Sequence, residues 1–154
     1  MTKKAKRPKK TDFHTKESIL INNLHPDIRL PITHNNVKGL VSKVLDGEDC
    51  RFKEIVLNFC DGRDIRRINN QFLGHNYNTD IITFPYNDDK KKIEGEILIS
   101  LNTVKKNGII YGSGYKMELK RVIIHGCLHL AGYLDKTNKQ KELIMQKEDF
   151  YLSN

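Results

Sequence analysis

The chain predicts an α+β fold, a small mixed β-sheet packed by helices. Three observations carry that reading. Segments that alternate between apolar and polar residues, or run short and apolar between turn residues, lie before about residue 101. Apolar residues at helical spacing dominate the rest of the chain. The two kinds of segment come in the order β-α-β-α-β-β-α-α-α, with strands early and helices gathered late.

Residues 17–24 read as a first strand, which 28–34 extend, although Pro31 blocks one ladder bond. Asn35 or Asn36 then caps a helix whose apolar positions are Val37, Leu40, Val41, Val44 and Leu45, ended by Gly47. Residues 53–60 alternate, with Ile55, Leu57 and Phe59 on one face. Asp61 caps the next helix, with an inner stripe of Ile65, Ile68 and Phe72, and Gly74 falls where a C-cap glycine belongs. Strands at 79–84, stopped by Pro85, and at 95–101 pair as a hairpin across a polar loop. Helices come next at 102–111, 115–131 and 138–151. The third presents Leu143, Ile144, Phe150 and Tyr151.

The length of 154 residues fits one domain. The net charge of +8 suggests a nucleic-acid partner, but much of it sits on Lys3, Lys4, Lys6, Arg7, Lys9 and Lys10. Residues 1–11 therefore read as a basic, disordered tail, either solvated or adding sequence-blind phosphate contacts, and 12–154 as the folded domain. No apolar stretch approaches the roughly 20 residues of a membrane span. Cys50, Cys60 and Cys127 form no CxxC pair, which fits small buried residues in a reducing compartment, the cytoplasm. His14, His25 and His34 have no informative spacing.

The chemistry concentrates in His125-Gly126-Cys127-Leu128-His129-Leu130-Ala131-Gly132-Tyr133-Leu134-Asp135. Residues four apart lie on one face of a helix, so His125 and His129 present two imidazoles to one ion. Gly132 can adopt positive φ and end the helix, and the chain can then fold back to bring Asp135 to the same ion. Two nitrogens and a carboxylate suit zinc and leave a coordination position for water, whose pKa the ion lowers to about 7. Alone, HxxxH is often a surface or core pair. The full spacing parallels the long zinc motif of metzincin proteases with Asp as third ligand, which makes this a zincin-like metal helix in the C-terminal half. Such proteases carry Glu directly after the first His as general base. Here that position is Gly126, so a phosphodiester is a better-matched target than a peptide.

The segment resembles the H-G-x-L-H-L-x-G-Y-D-H motif of the YbeY endoribonucleases, the rRNA maturation factors. The likeness rests on His125, Gly126, Leu128, His129, Leu130, Gly132 and Tyr133, with Glu118 seven residues upstream. Thr79-Asp80-Ile81-Ile82-Thr83-Phe84-Pro85 resembles the family's P-T-D-V-L-S-F-P, Gly95-Glu96-Ile97 its G-D-I, and Asn70 falls at its helix asparagine. The resemblance spans roughly residues 53–151. It implies a zinc-dependent, single-strand-specific endoribonuclease of late small-subunit (16S) rRNA maturation and ribosome quality control. The implied cofactor is one Zn2+ on His125, His129 and Asp135, and the implied partner is rRNA on the small ribosomal subunit. Neither a membrane nor an organic cofactor is expected.

Two positions depart from the family. Asp135 stands where the third ligand is usually His, with Leu134 in place of the preceding acid. Leu73 stands where an arginine thought to contact phosphate is usual. Either His75, Arg51 or Lys53 supplies that contact, or catalysis is slower; His75 is the candidate substrate-facing side chain. Glu118 either orients a ligand histidine or caps a helix, and Asp80 and Thr83 either shape the strand edge beneath the metal or serve turn and strand. Two rivals remain: a non-catalytic, zinc-stabilised ribosome-assembly factor, and a metzincin-like metalloprotease with a base from another segment, such as Glu118.

Overall fold

The computed structural model describes residues 16–154; the basic segment 1–11 and His14 lie outside the described residues. Within them the elements run β1 (Ser18–Asn23), α1 (His34–Gly47), β2 (Phe52–Cys60), α2 (Gly62–Leu73), β3 (Ile81–Pro85), β4 (Ile93–Ser100), α3 (Leu101–Ile110), α4 (Tyr115–Leu130) and α5 (Asn138–Ser153). The fold is α+β, and the order is the expected one. The strands form one mixed sheet, β1-β2-β4-β3. β1 and β4 run parallel to β2, and β3 pairs antiparallel with β4 as the predicted hairpin.

Alternation in β2 sends Ile55, Leu57 and Phe59 to one face, where Ile97 and Ile99 of β4 lie beside Leu57 and Phe59. That face carries the main core, completed by Val37, Val41, Val44 and Leu45 of α1 and Leu119, Ile123 and Leu128 of α4. The other face is smaller, with Cys60, Ile82 and Leu98 packed on Ile65 of α2. Each such aliphatic side chain contributes about 1.5–3 kcal/mol when fully buried. α4 packs against α1, α3, α5 and the β3–β4 hairpin. It is therefore apolar on most sides, and His125 and His129 occupy a strip left half-buried. Gly126 sets the approach: a Cβ there would lie 2.9 Å from Ile81 Cδ1 and 3.0 Å from Ile97 Cγ2.

Several local expectations are corrected. Residues 28–34 do not extend β1; the Ile28 N–H turns back to the His25 carbonyl at 3.0 Å, and proline at 31 cannot donate to a ladder. α1 is capped by Thr33, not by Asn35 or Asn36: its backbone is extended and its Oγ1 accepts the Asn36 N–H at 3.1 Å. Gly47 lies inside the last turn of α1, where the Tyr151 ring leaves no room for a Cβ, and positive φ falls on Asp49 (60°) instead. Phe72 is 64% exposed rather than on the inner stripe of α2; the buried positions there are Ile65 and Asn69. In α5, Leu143 and Phe150 face out while Ile144 and Tyr151 are buried. The three cysteines are buried and free, and burial pushes the Cys60 and Cys127 thiols up to about 12.

Candidate metal centre and active site

The helical spacing brings His125 and His129 together as expected. Their Nε2 atoms lie 2.9 Å apart, with the rings nearly perpendicular at 82°. After Leu130 the chain reverses: Gly132 takes φ +100°, and the Gly132 and Tyr133 N–H groups donate to the His129 and Leu128 carbonyls, each at 3.0 Å. The reversal carries Asp135 back until its Oδ2 lies 3.5 Å from His125 Nε2 and 3.3 Å from His129 Nε2.

What stands behind the rings fixes their chemistry. His125 Nδ1 donates to Glu148 Oε1 at 2.6 Å, and the buried Glu148 also accepts from Arg121 Nη1 at 3.1 Å. His129 Nδ1 donates to the Tyr133 carbonyl at 2.8 Å. With the Nδ1 protons so engaged, a neutral ring turns an Nε2 lone pair inward. Two lone pairs and a carboxylate oxygen then converge, an arrangement that repels itself unless a cation sits among them. In a tetrahedral zinc site with nitrogens at 2.0–2.1 Å, donors lie roughly 3.3 Å apart, close to the spacing here. The residues present therefore fit the ion. For His125, burial disfavours the charged ring, but the bond to Glu148 and its charge outweigh that and raise the pKa.

The Tyr133 that orients His129 is itself anchored. Its hydroxyl donates to Glu48 at 2.6 Å, as does the Tyr151 hydroxyl at 2.6 Å, and Lys147 Nζ adds a bond at 3.0 Å. Burial alone would raise the Glu48 pKa; these donors reverse the sign and lower it.

The donors open on a cleft of about 520 Å³ that Asp80, Thr83, His75, Tyr77, Leu73 and Leu134 also line. Asp80 faces it from the residue just before β3, its carboxyl pushed up by burial. Thr83 Oγ1 is buried without a hydrogen-bond partner. His75 is on the wall but outside the donor cluster; its ring stacks on Tyr77 with centroids 5.2 Å apart at 19°. Arg51 and Lys53 do not line the cleft and pair with Glu17 (2.9 Å) and Glu94 (2.8 Å). Asn70 is exposed; its buried neighbour Asn69 reaches the cleft and holds the Tyr77 carbonyl at 3.1 Å.

Glu118 is buried at the start of α4 and accepts from Ser113 at 3.2 Å; the carboxylate on His125 is Glu148, which sequence reasoning did not single out. A signal for it existed. Ile144, Glu148 and Tyr151 form the buried i, i+4, i+7 stripe of α5, and a carboxylate on such a stripe demands a partner. Sequence reasoning also missed a second cluster: His25 lies 2.5 Å from Asp64 and 3.5 Å from Asp61.

Donors of this kind on the floor of an open cleft are what a metal-assisted hydrolase requires, and the comparisons with known proteins narrow the class. The family model described as Endoribonuclease YbeY matches residues 21–154. An Endoribonuclease YbeY of Chlorobium phaeovibrioides is 42% identical over 129 residues, covering 84% of this chain and 86% of that protein. One of Cytophaga hutchinsonii is 50% identical over 117 residues, covering 76% and 82%. A solution structure from Thermotoga maritima superposes with a TM-score of 0.61 at 26% identity, covering 88% of this chain and 87% of that one. The chain belongs to the YbeY endoribonuclease family. It is accordingly a nuclease, a hydrolase acting on RNA phosphodiester bonds.

Proposed function

We propose that this chain is a cytoplasmic, zinc-dependent, single-strand-specific endoribonuclease of late small-subunit (16S) rRNA maturation. His125 Nε2, His129 Nε2 and Asp135 hold one zinc ion, the small ribosomal subunit is the partner, and residues 12–154 are the nuclease domain. One observation carries the reading: two imidazole nitrogens 2.9 Å apart and a carboxylate oxygen within 3.5 Å of both meet at an open cleft. Zinc bound there supplies Lewis acidity to water and to a phosphoryl oxygen.

The chain's own residues do the rest. Glu148 and the Tyr133 carbonyl hold the Nδ1 protons, which keeps both Nε2 atoms available. Asp80 lines the same cleft beside the donors, with its carboxyl pushed up by burial, and its carboxyl group is the acid–base candidate nearest them. Three converging donors, rather than a closed set of four, favour hydrolysis over a purely structural zinc among the described residues. The protease alternative would take its base from Glu118, which is buried at the start of α4, accepts from Ser113 and does not line the cleft, and this favours the nuclease reading. Parallel incubation with a structured rRNA fragment and with casein tests the assignment. Only the RNA should be cut, and cutting of casein alone would overturn it.

A further inference from the structure

The cleft rim beside Leu73 carries an aromatic surface that hydrolysis itself does not use. His75 and Tyr77 stack with centroids 5.2 Å apart, and Tyr77 is 56% exposed. The pair is held firmly. Gly74 turns the chain with φ +67°, the His75 N–H donates to the Asn69 carbonyl at 3.2 Å, and Asn69 Nδ2 holds the Tyr77 carbonyl at 3.1 Å. The Tyr77 hydroxyl and His75 Nδ1 share a hydrogen bond of 3.1 Å. Leu73, 47% exposed on the same rim, offers no charge to a phosphate.

We propose that the His75–Tyr77 pair is a base-stacking subsite for an unpaired nucleotide of the RNA substrate, so that this chain grips by ring face where charge is missing at Leu73. The proposal rests on the RNA reading of the cleft and goes beyond it by naming the contact. An exposed, preorganised ring suits a base because every base has a π-face, and stacking is tolerant of sequence. A base inside an A-form duplex is stacked on its neighbours and cannot offer that face, so the subsite selects single strands. A cation stands next to the pair: the exposed Arg66 donates its Nε to Asn76, the residue between the two rings, at 3.1 Å. An exposed ring surface beside an arginine fits single-stranded nucleic acid better than an apolar protein partner.

The test uses the full chain, a single-stranded RNA oligonucleotide and the same strand carrying a fluorescent adenine analogue next to the cleavage position. Tyr77→Ala should raise KM roughly 5- to 100-fold, the range set by the loss of one stacked base, with kcat nearly unchanged. It should also abolish quenching of the analogue on binding, while Tyr77→Trp retains both. Cleavage by Tyr77→Ala with unaltered KM and quenching would overturn the stacking subsite and leave the nuclease reading intact. Quenching by a wild-type protein that cuts no RNA would support the subsite and overturn the nuclease reading. Equal affinity for the single strand and its duplex would also count against the subsite.

Discussion

His125, His129 and Asp135 meet at the end of α4; His25, Asp61 and Asp64 meet where the loop after β1 crosses the start of α2. Both clusters pair imidazole with carboxylate at close range, and in both the donor atoms lie near enough together to share one ion. They differ in where the remaining valences go. In the first, each Nδ1 is spent on an acceptor behind the ring, Glu148 or the Tyr133 carbonyl, and each Nε2 faces the cleft. In the second, the Nε2 of His25 is itself engaged by Asp64 at 2.5 Å, a bond that raises its pKa. Asp61 meanwhile turns Oδ1 to the N–H groups of Arg63 and Asp64, each at 2.9 Å, as the cap of α2. A ring nitrogen that donates its N–H to a carboxylate has no lone pair left for an ion, and a capping carboxylate already has donors. Composition and proximity therefore do not make a metal site; the partner of the other ring nitrogen does.

Loss of a ligand should separate the two clusters most sharply. His129→Ala should remove zinc and lower RNA cleavage roughly a thousandfold or more, whereas His25→Ala should leave both within about twofold; metal analysis and cleavage assays on nuclease-free protein check this. Asp80→Asn should lower kcat by about 10²–10⁴-fold while zinc content stays at one, the pattern of a lost acid–base group. Glu148→Ala should weaken zinc binding by about 10–100-fold in a chelator titration. Asp64→Ala, the corresponding removal of the carboxylate on His25, should not change zinc binding.

Smaller effects concern the scaffolds. Gly126→Ala pushes α4 off Ile81 and Ile97 and should cost about 1–3 kcal/mol in denaturant unfolding. Asp61→Ala should cost about 1 kcal/mol through the lost α2 cap, without touching cleavage. Smallest is the pH dependence of the His25 pair. Because the folded pKa of His25 lies above 6.5, the pair's stabilisation is fully present below that value and is lost as pH rises through the folded pKa. The stability difference between wild type and His25→Gln should therefore shrink on moving from pH 6 to pH 9.

Much of the candidate metal cluster is legible in the sequence because its parts are local. Four-residue spacing, a glycine able to reverse the chain and an aspartate three residues on are determined within one helix and one turn. The strands of the β3–β4 hairpin are legible for the same reason. The rest depends on distant packing. Glu148 reaches His125 only because α5 lies along α4, and Glu48 steadies Tyr133 from the end of α1. Phe72 fits the apolar period of α2, yet it faces outward against the edge of Phe84, because the sheet face beneath α2 is small. Asn69 and Asn70 cannot be told apart until the register of α2 against the cleft is known.

Anomalous scattering at the zinc edge, from crystals grown with one equivalent of zinc, locates the ion without recourse to activity. A single peak among His125 Nε2, His129 Nε2 and an Asp135 carboxylate oxygen, with none at His25, is the predicted result. A peak at the His25 cluster, or none at either cluster in a protein that still cuts RNA, would contradict it.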